Sequence, residues 1–292
     1  MNRLIIIILA GLFSLTAFAE EVDRTVDAAA DGQVDISNIA GSVTVIGWTR
    51  DTVEVTGTLG RNVKELIVER DGDKVIIKVK VPKKGGRGID SDLRISVPQK
   101  SSIDVGTVSA DIDITDISGE QELHTVSGNV NTEQSGADIT AESVSGDIEV
   151  SGDKADGVVK VASVSGDATL FRVSGEVEGN SVSGDVIVDE GVFTRATLET
   201  VTGEILFKGA LRKDGKLGID TVNGDVDVDF AGSVSASFEI DTFNGGIRNC
   251  FGPKAERTSK YAPGWELEFT EGDGDARVTI STLNGDVNIC ND

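Results

Sequence analysis

The sequence predicts an all-β fold: a single-chain parallel β-solenoid, or β-helix, with about 19–20 residues per coil. Three observations predict it. The first is a recurring phrase: a hydroxyl residue, an aliphatic, then Ser, Thr or Asn, a glycine, an acid and an aliphatic. It reads TVSGNV at 125–130, SVSGDI at 143–148, SVSGDA at 163–168, SVSGDV at 181–186, TVTGEI at 200–205, TVNGDV at 221–226, TFNGGI at 242–247 and TLNGDV at 282–287. A first copy, TVSADI at 107–112, carries Ala110 where the glycine belongs. The second is spacing. Gly128, Gly146, Gly166, Gly184, Gly203, Gly224 and Gly245 lie 18 to 21 residues apart, so each repeat is one coil stacked on a neighbour. The third is composition: 35 glycines and 4 % aromatic residues suit a turn-rich repetitive β protein. A right-handed crossover is the favoured sense for parallel strands so joined.

The chain divides in order. Residues 1–19 read as a secretory signal peptide. Arg3 precedes an apolar run from Leu4 to Ala17, and Ala17-Phe18-Ala19 is a small-x-small cleavage site before Glu20. The run is too short for a membrane span, and no later segment has eighteen uninterrupted apolar residues. The processed chain is therefore expected to insert in no membrane and to be exported, periplasmic or extracellular. Residues 20–100 read as irregular coils and an N-terminal cap. There Ile36–Trp48 gives strand, glycine corner, strand, and Val53–Thr56, Leu66–Glu69, Val75–Val81 and Leu93–Val97 are further strands. Trp48 is expected to pack on these first coils. Residues 101–250 hold the regular repeats. Residues 251–292 hold a degenerate coil, a C-terminal cap and the last repeat. The step from Gly245 to Gly285 is 40 residues, about two periods.

Aligned on the glycine, the repeats show columns. Alternating apolar pairs come before the phrase, such as Ile139 and Ala141, Val159 and Val161, Leu217 and Ile219. Others follow it, such as Ile148 and Val150, Val186 and Val188. Period two puts one face of each strand into a core. A coil then has at least two short strands meeting at an x-Gly-acid corner, where glycine allows a tight turn. The hydroxyl column is Thr107, Thr125, Ser143, Ser163, Ser181, Thr200, Thr221, Thr242 and Thr282. It keeps the inward parity, so it is expected to form a hydrogen-bonded ladder between coils, since a buried hydroxyl without a partner costs about 1–3 kcal/mol. The acid column is Asp111, Asp147, Asp167, Asp185, Glu204, Asp225 and Asp286, broken by Asn129 and Gly246. Carboxylates stacked at strand spacing must bond to turn amides, splay into water or share a cation. Turn chemistry is the plain reading and calcium binding the sharper one. The calcium-solenoid nonapeptide GGxGxDxUx is missing.

Cys250 and Cys290 are the only cysteines, and each follows its repeat glycine by five residues. If the intervening stretch loops out, they are neighbours within bridging distance; if it forms a full coil, they are not. In an exported chain a disulfide between them is expected.

These residues make the chain resemble the DUF4097 family of bacterial β-strand-repeat proteins. The resemblance rests on Ile39–Trp48 (IAGSVTVIGW), Leu93–Pro98 (LRISVP) and the V-S-G-D repeats. It implies an extracytoplasmic β-solenoid, with members linked to envelope stress or surface contact. It supplies no active site to carry over, and the two cysteines are additional to it.

Charge narrows the function. Of 27 basic and 50 acidic side chains only Arg3 lies in the leader, leaving 26 against 50, or −24. Such a chain is repelled by nucleic acid and anionic lipid. The leading reading is a non-catalytic envelope protein, adhesin-like or envelope-stress-associated, presenting a repetitive face to a protein or glycan. A polysaccharide lyase or hydrolase is the alternative. It needs acids and bases converging at a break in the repeat, and Arg172, Arg195 and Lys208 are the bases lying among acidic coils. The lone His124 cannot activate a column of serines. A calcium-stabilised module built on the acid column is the third reading. No catalytic, cofactor-binding or metal-ligating residue is assigned, and the sequence fixes neither partner nor oligomeric state.

Overall fold

The computed structural model describes residues 20–83, 86–260 and 263–291; the leader at 1–19 lies outside them. Among the described residues all regular structure is strand, and no helix is long and apolar enough to cross a membrane.

At the N-terminal end lie β1 (Glu20–Asp27), β2 (Gln33–Trp48), β3 (Thr52–Leu59), β4 (Glu65–Asp71), β5 (Lys74–Lys80), β6 (Ser91–Pro98) and β7 (Ser102–Thr115). β2 buries Val34 and Ile36 on one arm and Val43 and Val45 on the other. Between the arms Gly41 takes φ +105° and turns the corner. Both arms run parallel to β7, from Gln33 opposite Ser102 to Ile46 opposite Thr115. On its far side β2 is paired in parallel with β5 on the first arm and β6 on the second. So β2 sits between strands that all come later in the chain. Beyond it the pairing turns antiparallel: β4 on β5, β3 on β6, β1 on β3. The two residues between β4 and β5 suffice for a hairpin and are far too few for a parallel crossover. Trp48 is half-buried. Its Nε1–H donates to Thr52 O at 2.8 Å, and the Arg50 guanidinium lies 4.7 Å from its ring centroid, so it pins the turn into β3.

The middle of the chain is regular. It contains β8 (Gln121–Thr125), β9 (Val130–Gln134), β10 (Ile139–Ser143), β11 (Ile148–Gly152), β12 (Asp156–Ser163), β13 (Ala168–Phe171), β14 (Ser174–Ser183), β15 (Val186–Thr202), β16 (Ile205–Asn223) and β17 (Val226–Phe230). Each pairs in parallel with the strand one repeat away. Ile139 lies between Gln121 and Val159, and Val150 between Thr132 and Leu170. The alternating apolar residues are buried as their parity requires. From Phe193 onward the core holds a run of rings, Phe193–Phe207–Phe230–Phe238, with centroids 5.4 to 6.1 Å apart.

The C-terminal end departs from chain order. It contains β18 (Ala236–Asn244), β19 (Ile247–Asn249), β20 (Glu256–Arg257), β21 (Trp265–Glu271), β22 (Ala276–Asn284) and β23 (Val287–Asn291). β22 is inserted between β16 and β18, with Val278 beside Leu217 on one side and Phe238 on the other. β23 lies likewise between β17 and β19. The last repeat thus separates the two that precede it. The expected degenerate parallel coil between Gly245 and Gly285 is replaced by β21, which runs antiparallel along the free edge of β18 and stacks Phe269 on Phe238 at 4.4 Å. The step of 40 residues is an excursion, and the inserted strand pair closes it. β21 hides the backbone groups that β18 would otherwise offer to another chain.

Candidate functional site

The repeated corner builds the site. Its hydroxyls are all buried. Ser143, Ser163, Ser181, Thr200, Thr242 and Thr282 donate to the carbonyls of Gly128, Gly146, Gly166, Gly184, Gly285 and Gly224 on the neighbouring coils, at 2.9 to 3.5 Å. The expected ladder is therefore present, with one break: Thr221 Oγ1 is buried without a partner. This yields a paired prediction. Thr200→Val is expected to cost about 1 kcal/mol in urea unfolding, and Thr221→Val nothing or a small gain, because only the first breaks a bond.

The acids form a second ladder. Asp111 accepts from Asn129 N at 2.9 Å, Asp147 from Asp167 N at 3.0 Å, Asp167 from Asp185 N at 2.9 Å and Asp185 from Glu204 N at 2.7 Å. Across the inserted repeat, Asp225 accepts from Asp286 N at 2.8 Å and Asp286 from Gly246 N at 2.7 Å. One oxygen of each of these six aspartates thus serves a turn amide. Among the described residues no group of three His, Cys, Asp or Glu could hold a metal ion. Millimolar Ca²⁺ is expected to leave the melting temperature where EDTA leaves it.

With the hydroxyl inward and the acid engaged along the stack, the aliphatic between them must point out. Val108, Val126, Val144, Val164, Val182, Val201, Val222, Leu283 and Phe243 are 39 to 48 % exposed. In the stacking order of the coils they form one continuous apolar ridge. Beside the middle of the ridge, from Val144 to Val222, runs a groove with a cavity volume of about 900 Å³. Its far wall comes from the outward residues just before each hydroxyl: His124, Glu142, Ala162, Asn180, Glu199 and Asp220. His124 Nδ1 lies 3.3 Å from Glu142 and its Nε2 3.1 Å from Glu122. Burial, and then the charge of Asp241, push the Asp220 carboxyl above its ordinary value. The folded state therefore binds that proton more tightly than the unfolded chain. The stability due to Asp220 is fully present below the unfolded pKa of 3.8 and is lost as pH rises through the raised value. Asp220→Asn is expected to raise the melting temperature at pH 7, with the gain shrinking toward pH 3.

The groove contains no residue singled out from sequence as a base for polysaccharide chemistry. Arg195 pairs with Glu176 at 3.3 Å. Arg172 lies 5.9 Å from the Phe171 ring centroid. Lys208 stands in register between Asp189 and Asp229 on the other strand of the coil. The three are not brought together. Cys250 and Cys290 are joined as a disulfide, with Cα atoms 4.9 Å apart. They meet because β23 lies directly against β19, with Asn249 opposite Ile289. The sequence reading missed the ridge, whose signal was parity: a residue next to an inward hydroxyl on an extended strand faces out.

A two-arm β coil, stacked in parallel and edged by one groove, defines a β-solenoid-like repeat protein. The family model of DUF4097, described as Toastrack, matches residues 9–181 and again 174–290. The chain belongs to that family. Among solved structures it is similar to a proposed adhesin of Bacteroides fragilis, at 12 % identity and a TM-score of 0.42, covering 92 % of this chain and 97 % of that one. It is also similar to a proposed adhesin of Parabacteroides distasonis, at 9 % identity and a TM-score of 0.37, covering 93 % and 98 %. A proposed cell adhesion protein of Clostridium sporogenes matches at 10 % identity and a TM-score of 0.23, covering 94 % and 100 %. No curated protein matches the chain.

Proposed function

We propose that this chain is an exported, non-catalytic protein of the cell envelope, periplasmic or extracellular, that holds a protein or glycan partner on its repetitive face in an adhesin-like role. Its coil is right-handed and about 19–20 residues long. The observation that carries the reading is the ridge of nine exposed aliphatic and aromatic side chains, one per coil, five of which, Val144 to Val222, flank a groove. Soluble proteins scatter single exposed apolar residues, whereas an aligned row marks a contact surface. The disulfide fits an oxidising compartment.

The test is cross-linking of the tagged, processed protein in its native envelope, with partners identified by mass spectrometry. A discrete partner, captured saturably and lost when Val164 and Val182 are both changed to threonine, is the expected result. Background capture alone, from a bait with an unchanged melting temperature, would overturn the reading.

A further inference from the structure

The groove specifies its occupant by charge and by spacing. We propose that it binds an extended, basic, proline-rich segment of a partner protein, lying along the solenoid axis in the polyproline II conformation. This rests on the interaction reading above and names its ligand.

Charge comes first. Glu142, Glu178, Glu199 and Asp220 line the groove, and no lysine or arginine does. Glu142 lies near His124 and Glu178 lies 4.0 Å from Lys160. Among the described residues Glu199 and Asp220, side by side in register, have no basic partner. The processed chain, with 26 basic and 50 acidic side chains, repels a second copy of itself and any anionic polymer. The wall therefore calls for a cation, while the valine ridge opposite it calls for apolar contact. One ligand must supply both within the width of a single groove.

Spacing selects the conformation. Stacked strands lie about 4.8 Å apart, so alternate valines of the ridge recur about every 9.6 Å. Polyproline II has three residues per turn and a rise of about 3.1 Å, a pitch of about 9.3 Å. Residues i, i+3 and i+6 of such a segment fall on alternate valines and lose only about 0.3 Å per turn. A β-strand repeats its side chains about every 6.8 Å and drifts off the ridge at once. An α-helix is about 10–12 Å across and has a pitch of about 5.4 Å, so it slips by more than half an ångström at each coil. A polyproline segment is also ordered before it binds, which lowers the entropy lost on docking. Of its three faces one rests on the valines, one turns basic side chains to Glu199 and Asp220, and one faces solvent.

The test is fluorescence anisotropy of the full processed chain with labelled (Pro-Pro-Lys)₄. Saturable binding is expected, at least about tenfold tighter than to (Gly-Gly-Lys)₄, with none to (Pro-Pro-Glu)₄. The triple variant Val144→Thr, Val164→Thr, Val182→Thr keeps shape and strand preference at exposed positions. It is expected to weaken binding about tenfold or more without moving the melting temperature. Glu199→Gln with Asp220→Asn is expected to weaken binding and flatten its salt dependence. Equal affinity for the proline and glycine peptides, indifference to the valine changes, or no binding would each overturn the proposal. So would binding of a glucosamine oligosaccharide in place of the peptide. Capture of an envelope partner that (Pro-Pro-Lys)₄ does not displace would overturn this inference and leave the interaction reading standing.

Discussion

Replacing Gly224 with alanine is expected to destabilise the protein by about 3 kcal/mol, the upper end of what overpacking costs. A Cβ built at Gly224 would lie 1.7 Å from the carbonyl oxygen of Gly203 and 2.7 Å from its carbon. The colliding atoms are backbone, so no side-chain rotation relieves the contact. Nor can the coils part cheaply. Gly224 N donates to Asn284 O at 3.1 Å, Gly203 N to Asn223 O at 3.2 Å, and Thr282 Oγ1 to Gly224 O at 3.3 Å. Relief for one methyl therefore strains hydrogen bonds on both sides. Two controls separate this from a general intolerance of change. Gly218 has open space where its Cβ would be, so Gly218→Ala is expected to be neutral or to stabilise by up to about 1 kcal/mol. Ala110 occupies the glycine column of the first repeat and pairs with Gly41, whose φ of +105° marks a different corner. Ala110→Gly there is expected to lose about 1 kcal/mol, through the buried methyl and the freer unfolded chain. Urea unfolding of the three variants checks the order. If Gly224→Ala matches Gly218→Ala, the glycine column is a matter of turn preference and not of coil spacing.

The stacking logic was legible because it is local and repeated. The parity of Thr200 relative to Leu198 fixed the inward hydroxyl, and stacking then decided its neighbour. The aspartate ladder follows equally from one acid per corner and one free turn amide on the next coil. The two cysteines share a column, so their pairing needed only adjacent coils. Strand order at the ends was not legible. TVNGDV at 221–226, TFNGGI at 242–247 and TLNGDV at 282–287 present nearly the same corner, and any of the three can stack on any other. One local trace of the true order exists. Asn284 Nδ2 donates to Asn223 Oδ1 at 2.7 Å, and Asn244 Nδ2 donates to Asn284 Oδ1 at 2.8 Å, so the three asparagines run 223, 284, 244. Their shared residue type says that they stack together; only the long-range pairing says which lies in the middle. The same holds for β2, whose neighbours β5, β6 and β7 were read as successive strands and in fact flank it. The groove stayed hidden because its ridge belongs to the phrase that defines the repeat, and an aliphatic in a strand is read first as core.

Changing both Cys250 and Cys290 to serine is expected to destabilise the C-terminal end selectively. The bridge spans 40 residues of sequence, and closing a loop of that length restricts the unfolded chain by about 4 kcal/mol in the chain-entropy description. What the bridge ties is particular to this fold. β22 and β23, inserted between β16–β17 and β18–β19, form the surface on which the outer pair β18–β19 rests, and β21 in turn lies on the far edge of β18. Without the bridge, the end of the chain is held in its slot by hydrogen bonds and by side chains such as Val278, Ile280, Val287 and Ile289. In a stacked fold each coil contacts only its neighbours, so loosening spreads outward to the cap more readily than inward. Hydrogen exchange of the double serine variant should show faster exchange at Phe238–Ile240 and Val278–Ile280, with little change at Ile139–Ala141 and Val159–Val161. The ridge from Val126 to Val182 lies on those undisturbed coils, so apolar contact with a partner should outlast the opening of the cap, whereas the contact to Asp220, which stands beside Ser281 of β22, should weaken with it. Uniform loss of protection across all four segments would instead mean that the whole stack opens as one cooperative unit. The bridge would then set global stability, and binding and cap opening would fail together.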